Sequence, residues 1–226
     1  LQAGDVIGKA WESYRAHWRH LLPIAFVVYA LISLLILLLG ALLGWFGAAL
    51  GSLIGLAGIF WLQGALVVAI DDVRDGRADL SIGETLDRVR PRLSTLALAG
   101  LLAGVAIGLG LVLLIVPGLF LLTIWLVIVP AIMLEGCGVS AAFARSQELV
   151  RGYGWSVFGV IALTVLIYLG VVIASGLVRD AFDSVWASVV INIAVQTVTA
   201  PFIALAWTTT YYQLRDLKGA EPAAAV

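Results

Sequence analysis

Residues 21–70 contain no Asp, Glu, Lys, Arg or His, and equally uncharged stretches return at 93–116, 119–134, 154–178 and 186–212. Apolar runs of about 18 residues or more can cross a hydrocarbon core of about 30 Å as α-helix. The pattern therefore predicts an all-α membrane protein with six transmembrane helices, at 21–43, 47–70, 93–116, 119–134, 154–178 and 186–212. Composition agrees, because 62% of the 226 residues are hydrophobic, 12% are charged and mean hydropathy is +1.10, whereas soluble domains are roughly 45–50% apolar. Residues 1–218 read as a single polytopic membrane domain and 219–226 as a disordered cytoplasmic tail. The chain starts at Leu1 rather than Met, which suggests a segment upstream, and no signal-peptide pattern precedes the first span.

Two joints between spans are too short for a loop. A glycine-rich joint separates the first and second spans, and only Pro117-Gly118 separates the third and fourth. Pro removes a backbone donor and Gly permits positive φ, so both joints predict tight hairpins. Twelve of the thirteen Lys and Arg residues then fall on one side of the expected topology, with Arg179 alone on the other. The positive-inside rule places that side, and both termini, in the cytoplasm of a bacterial inner membrane. Trp11, Trp18, Tyr153, Trp155, Tyr211 and Tyr212 are expected at the same interface.

A short amphipathic segment precedes each hairpin: DVIGKAWESYRAHWRH, SIGETLDRVRPR and GVSAAFARSQELVRG. Each is expected to lie on the cytoplasmic face of the membrane. In the third, Val139, Ala142, Phe143, Ser146 and Val150 form a lipid-facing side opposite Arg145, Glu148 and Arg151. Ser81 and Glu84 form a capping-box pattern, and Asp5 is placed to cap the first segment. Acid and arginine recur three apart, as Glu12 with Arg15, Asp87 with Arg90 and Glu148 with Arg151. An internal triplication and three independent solvated helix faces both fit these pairs, since the candidate caps do not align when the pairs do.

Few residues suggest chemistry. Net charge is −1 and the aromatics lie mostly in apolar runs, which gives no footprint for nucleic acid. Cys137 is the only cysteine, so neither an intramolecular disulfide nor a cysteine metal cluster can form. His17 and His20 lack partner ligands in sequence, and Asp71, Asp72, Asp75 and Asp79 lack EF-hand spacing and lie among Arg74 and Arg77. No catalytic, cofactor-binding or metal-binding set is expected. Gly47, Gly51 and Gly55, then Gly100, Gly104 and Gly108, form two GxxxGxxxG series that predict close helix packing, with a glycine-lined pore or a dimer face as alternatives. Asn192, Gln196 and Thr199 make a polar face on the last span, either for interhelical hydrogen bonds or for a polar substrate path.

The run PGLFLLTIWLVIVPAIMLEG, followed by AAFARSQELVRGYGWSVF, resembles the bacterial glycerophosphoryl diester phosphodiesterase membrane-domain family and related uncharacterised multi-span inner-membrane proteins. The resemblance rests on Pro117, Gly118, Pro130, Glu135, Gly136, Ala142, Arg145, Ser146 and Leu149. It implies a membrane domain without the soluble catalytic barrel, and hence no phosphodiesterase reaction here. This chain reads GCGVSAAF where the family pattern calls for a proline and an acid, so its surface helix has a weaker start.

The expected function is therefore a non-catalytic membrane protein with a lipid-associated or partner-scaffolding role. Alternatives are a passive small-molecule transporter or channel and a membrane domain accessory to a lipid-metabolising enzyme. Arg15, Arg90, Arg145 and Arg151 are expected to meet anionic lipid head groups, and a membrane-protein partner or second copy also fits. Glu135, Gly136, Arg145 and Ser146 read as a structural hinge, with Glu135 pairing Arg145 or capping the neighbouring helix.

Overall fold

The computed structural model describes residues 1–74, 80–179 and 184–220; Asp75, Arg77, Asp79 and residues 221–226 of the expected tail lie outside the described residues. Among the described residues all regular structure is helical: α1 (Ala3–Arg74), α2 (Ile82–Val89), a 3-10 turn (Arg90–Arg92), α3 (Leu93–Leu113), α4 (Ile115–Ile124), α5 (Ile128–Glu135), α6 (Val139–Val150), α7 (Gly154–Arg179) and α8 (Val185–Ala220). Five stretches are long and apolar enough to cross a membrane: Ala3–Arg74, Ile82–Leu113, Ile115–Glu135, Gly154–Arg179 and Trp186–Gly219. The chain is a multi-pass helical membrane protein.

The first stretch is folded on itself. His17 (φ −124°, ψ 16°) bends α1 after its amphipathic start, and Gly44 (φ 62°, ψ −144°) reverses it. A Cβ on Gly47 would lie 1.9 Å from the Leu39 carbonyl oxygen, one on Gly51 3.0 Å from Ile36 Cα, and one on Gly55 3.1 Å from Ile32 Cγ2. The partners step backward along the sequence as the glycines step forward, so the two arms are antiparallel and touch backbone to backbone. Close approach over small residues is what holds helices together where lipid competes equally for apolar side chains.

The second joint turns at a different residue from the one expected. Leu114 is extended (φ −154°, ψ 125°) and separates α3 from α4. Pro117 instead sits in the first turn of α4, where its missing N–H interrupts no hydrogen bond. Gly118 lies at the crossing, with Gly110's absent Cβ only 2.9 Å from Gly118 Cα. The expected span at 119–134 is also interrupted, between Ile124 and Ile128. Pro130 explains the break, because it cannot donate to the carbonyl four residues back and its ring crowds that carbonyl.

The amphipathic segments are helices, but their apolar sides face protein. Val6, Ala10 and Tyr14 of α1, Thr85 and Val89 of α2, and Ala142, Ser146, Leu149 and Val150 of α6 are all buried against the bundle. The lipid-facing side expected of Val139–Val150 is thus a packing face, since these helices close over one end of the bundle. Asp5 lies inside the first turn, which starts at Ala3, so it complements the helix dipole and does not cap. Ser81 does cap α2: its side chain accepts from Glu84 N–H, and the Glu84 carboxylate accepts from Ser81 N–H at 2.8 Å. Gly138 starts α6 without a side-chain cap.

The same end holds the tight core, including Leu21, Leu62, Leu66, Leu96, Ile132 and Leu149. Toward the turns at Gly44 and Leu114 the apolar side chains stand open, with Leu42 69%, Trp45 83% and Val112 84% exposed. Those surfaces suit lipid. The third-span glycine series divides accordingly: Gly100 takes the Phe60 ring, whereas Gly104 and Gly108 meet nothing within 4 Å. The packing expected along that whole series is therefore confined to Gly100.

This difference is testable. Gly47→Ala and Gly51→Ala are expected to lower thermal stability in detergent, at about 1–3 kcal/mol for overpacking. Gly104→Ala and Gly108→Ala should be neutral or slightly stabilising, because Ala is the better helix former by about 1 kcal/mol. Equal losses from both pairs, followed by circular dichroism, would contradict the assignment.

Candidate functional site

The break at Pro130 leaves helix carbonyls that need partners. Ser146, fully buried on α6, donates its hydroxyl to the Ile124 carbonyl at 2.8 Å. At the other end of α5, Arg92 donates Nη1 to the Ile132 carbonyl at 2.8 Å and also to that of Met133. Gly136 ends α5 in the left-handed region (φ 71°), and its missing Cβ leaves the Arg92 guanidinium 3.3 Å away. A buried carbonyl without a donor costs about 1–3 kcal/mol; Ser146 replaces the donor that Ile124 loses at the break, where Ile128 N–H turns to the Trp125 carbonyl at 3.3 Å, and Arg92 replaces those lost at the helix end.

Glu135, the last residue of α5, gathers three elements. Arg145 of α6 donates Nε to both its oxygens, at 2.8 and 3.1 Å, and Tyr211 of α8 donates its hydroxyl to Oε1 at 2.7 Å. The anticipated Glu135–Arg145 contact is present. Arg145 Nη1 also reaches Glu148 at 3.0 Å. Burial opposes charge on Arg145, but the hydrogen bonds it donates to Glu135 and Glu148 and their negative fields outweigh it and raise its pKa. Among the described residues, the acid–arginine pairs expected three apart, Glu12 with Arg15, Asp87 with Arg90 and Glu148 with Arg151, form no ion pair; Glu148 turns back to Arg145.

Tyr212 repeats the arrangement beside it. Its hydroxyl donates to Asp71 near the end of α1, Arg74 lies over its ring at 3.7 Å, and Arg215 lies 5.1 Å from the same ring and 5.7 Å from that of Tyr211. Tyr211 and Tyr212 are buried at 0% and 6% exposure, not placed as interfacial anchors. α8 thus fastens the ends of α1 and α5 with adjacent phenols. Sequence reasoning missed Arg92, Asp71 and this use of the tyrosines; the one available signal was two adjacent phenols with an arginine a turn later, at Arg215.

The remaining sequence-predicted residues are dispersed. Asn192 is exposed and Gln196 half-buried, while Thr199 is buried and donates to the Val195 carbonyl of its own helix at 2.8 Å. None of the three lines the groove at Lys9 and Asp216 or the apolar one at Val28 and Trp61. Arg15 is exposed on the amphipathic start of α1, Arg90 in the 3-10 turn after α2 and Arg151 just past the end of α6. His17 shares a 3.1 Å hydrogen bond with the Ser13 carbonyl, and among the described residues no group of three His, Cys, Asp or Glu is placed to hold a metal.

Tyr14 joins the amphipathic start of α1 to α8, donating to the Val198 carbonyl at 3.1 Å close to Pro201. The geometry around Glu135 fixes helices relative to one another and engages its carboxylate on both oxygens. The chain matches no protein-family model, no curated protein and no solved structure.

Two substitutions probe this end. Ser146→Ala should destabilise the fold by about 1–3 kcal/mol through the orphaned Ile124 carbonyl, read as a lower melting temperature; no change would remove Ser146 from the account. Cys137 Sγ lies 4.0 Å from Glu135 Oε2, and burial first, then the Glu135 charge, raises its pKa above the usual thiol value. The thiolate is the reactive form. Cys137 is therefore expected to react slowly with maleimide near neutral pH, and Glu135→Gln to speed that reaction and shift its pH profile downward. A rate unaffected by Glu135→Gln would contradict the coupling.

Proposed function

We propose that this chain is a non-catalytic integral membrane protein that crosses a bacterial inner membrane six times as three hairpins, with both termini and the three closing helices at the cytoplasmic face. Its role in this reading is to associate with anionic lipid and to hold a partner at that face. The observation that carries it is the polarity of the bundle. Arg15, Arg90 and Arg151 are exposed on or just beyond the closing helices at the packed end, whereas Leu42, Trp45 and Val112 stand open at the other. Basic residues near an anionic surface contribute about 1 kcal/mol each.

Arg145, one of the four expected lipid contacts, is engaged by Glu135 and Glu148 and is assigned to the scaffold. The exposed position of Asn192 and the satisfied hydroxyl of Thr199 give a polar path through the bundle no support.

Charge reversal tests the reading. Arg15→Glu, Arg90→Glu and Arg151→Glu together are expected to lower co-purified anionic lipid severalfold, with Arg145→Glu acting through stability. Unchanged lipid content in the triple variant would overturn the proposal.

A further inference from the structure

A groove of about 370 Å³ opens between the amphipathic start of α1, the end of α1 and the end of α8. That volume is within the range of small-molecule sites, roughly 300–1,000 Å³. Its lining carries charges of both signs: Lys9 and Arg74, against Glu12 and Asp216. Among the described residues Lys9, Glu12 and Asp216 form no ion pair, so the charges do not neutralise one another internally. Gln213 also lines the groove, and its buried Nε2 has no hydrogen-bond partner. An unmet amide donor in a groove that two cations also line favours an anionic oxygen, and two carboxylates favour a cation with N–H donors.

We propose that this groove binds a phosphoethanolamine group, its phosphate held by Lys9, Arg74 and Gln213 and its primary ammonium by Glu12 and Asp216. A quaternary ammonium fits less well. It has no N–H to give the carboxylates and is recognised by aromatic faces, and the ring of Tyr212 in this groove is already covered by Arg74 at 3.7 Å. The assignment rests on the reading that this end of the bundle lies at the head-group layer. There a phosphatidylethanolamine head group and free phosphoethanolamine share the required chemistry.

The test uses the full chain in nanodiscs of mixed phosphatidylethanolamine and phosphatidylcholine, with bound lipid counted by native mass spectrometry. The native chain should retain phosphatidylethanolamine in preference to phosphatidylcholine. Glu12→Gln with Asp216→Asn should reduce that preference by about two- to fivefold, the change that partly exposed ion pairs give. Lys9→Gln with Gln213→Leu should lower retention of both lipids. A second arm titrates free phosphoethanolamine into phosphatidylcholine nanodiscs, and stabilisation lost in the carboxylate variant would assign the same groove to the soluble compound. Carbonate extraction of every variant separates the two readings: loss from the membrane fraction would overturn the membrane placement. A membrane-integrated carboxylate variant with unaltered lipid preference and unaltered response to phosphoethanolamine would overturn the groove assignment alone.

Discussion

A membrane helix must satisfy its own backbone, because lipid offers no donors, and the arrangement of this protein's packed end follows from one place where it does not. Pro130 withholds an N–H inside a stretch of 21 residues that otherwise suits a single crossing, Ile115–Glu135. The stretch divides into α4 and α5; the carbonyl freed at the break draws in Ser146 from α6, and those freed at the far end of α5 draw in Arg92 from the turn before α3. Once α5 is short and capped, Glu135 lies within reach of both Arg145 and Tyr211. Closing helices and spans are thereby joined at one end.

That end is tightly packed and cross-bonded. Its helices bury apolar faces against one another and add charged hydrogen bonds at partly exposed sites, each individually modest in strength. At the opposite end, contact is largely within hairpins, through Gly47, Gly51 and Gly55 in one and Gly110 with Gly118 in the other. Lipid covers apolar side chains there as well as another helix would, so backbone proximity is what remains to distinguish the paired helix from solvent lipid.

Hydropathy made the helical membrane fold legible in the sequence, and the Ser81–Glu84 capping box and the Glu135–Arg145 contact were readable from local pattern. Other features depended on three-dimensional neighbours. Two glycine series look alike in sequence, yet only one meets a helix along its length, because which neighbour a face meets is not a periodic property. Tyr211 and Tyr212 carry the composition of an interfacial belt, but the carboxylates that accept their hydroxyls, Glu135 and Asp71, are distant in sequence. The amphipathic helices illustrate the same limit: period shows that one side is apolar and leaves open whether lipid or protein covers it.

The central claim is that Glu135 couples α5 to α8, and a double-mutant cycle between Glu135→Gln and Tyr211→Phe measures that coupling most directly. Equilibrium unfolding of the native chain, the two single variants and the double variant in one detergent should give an interaction energy of about 0.5–3 kcal/mol, as for residues in a shared network. Additivity within about 0.3–0.5 kcal/mol, the behaviour of independent sites, would contradict it.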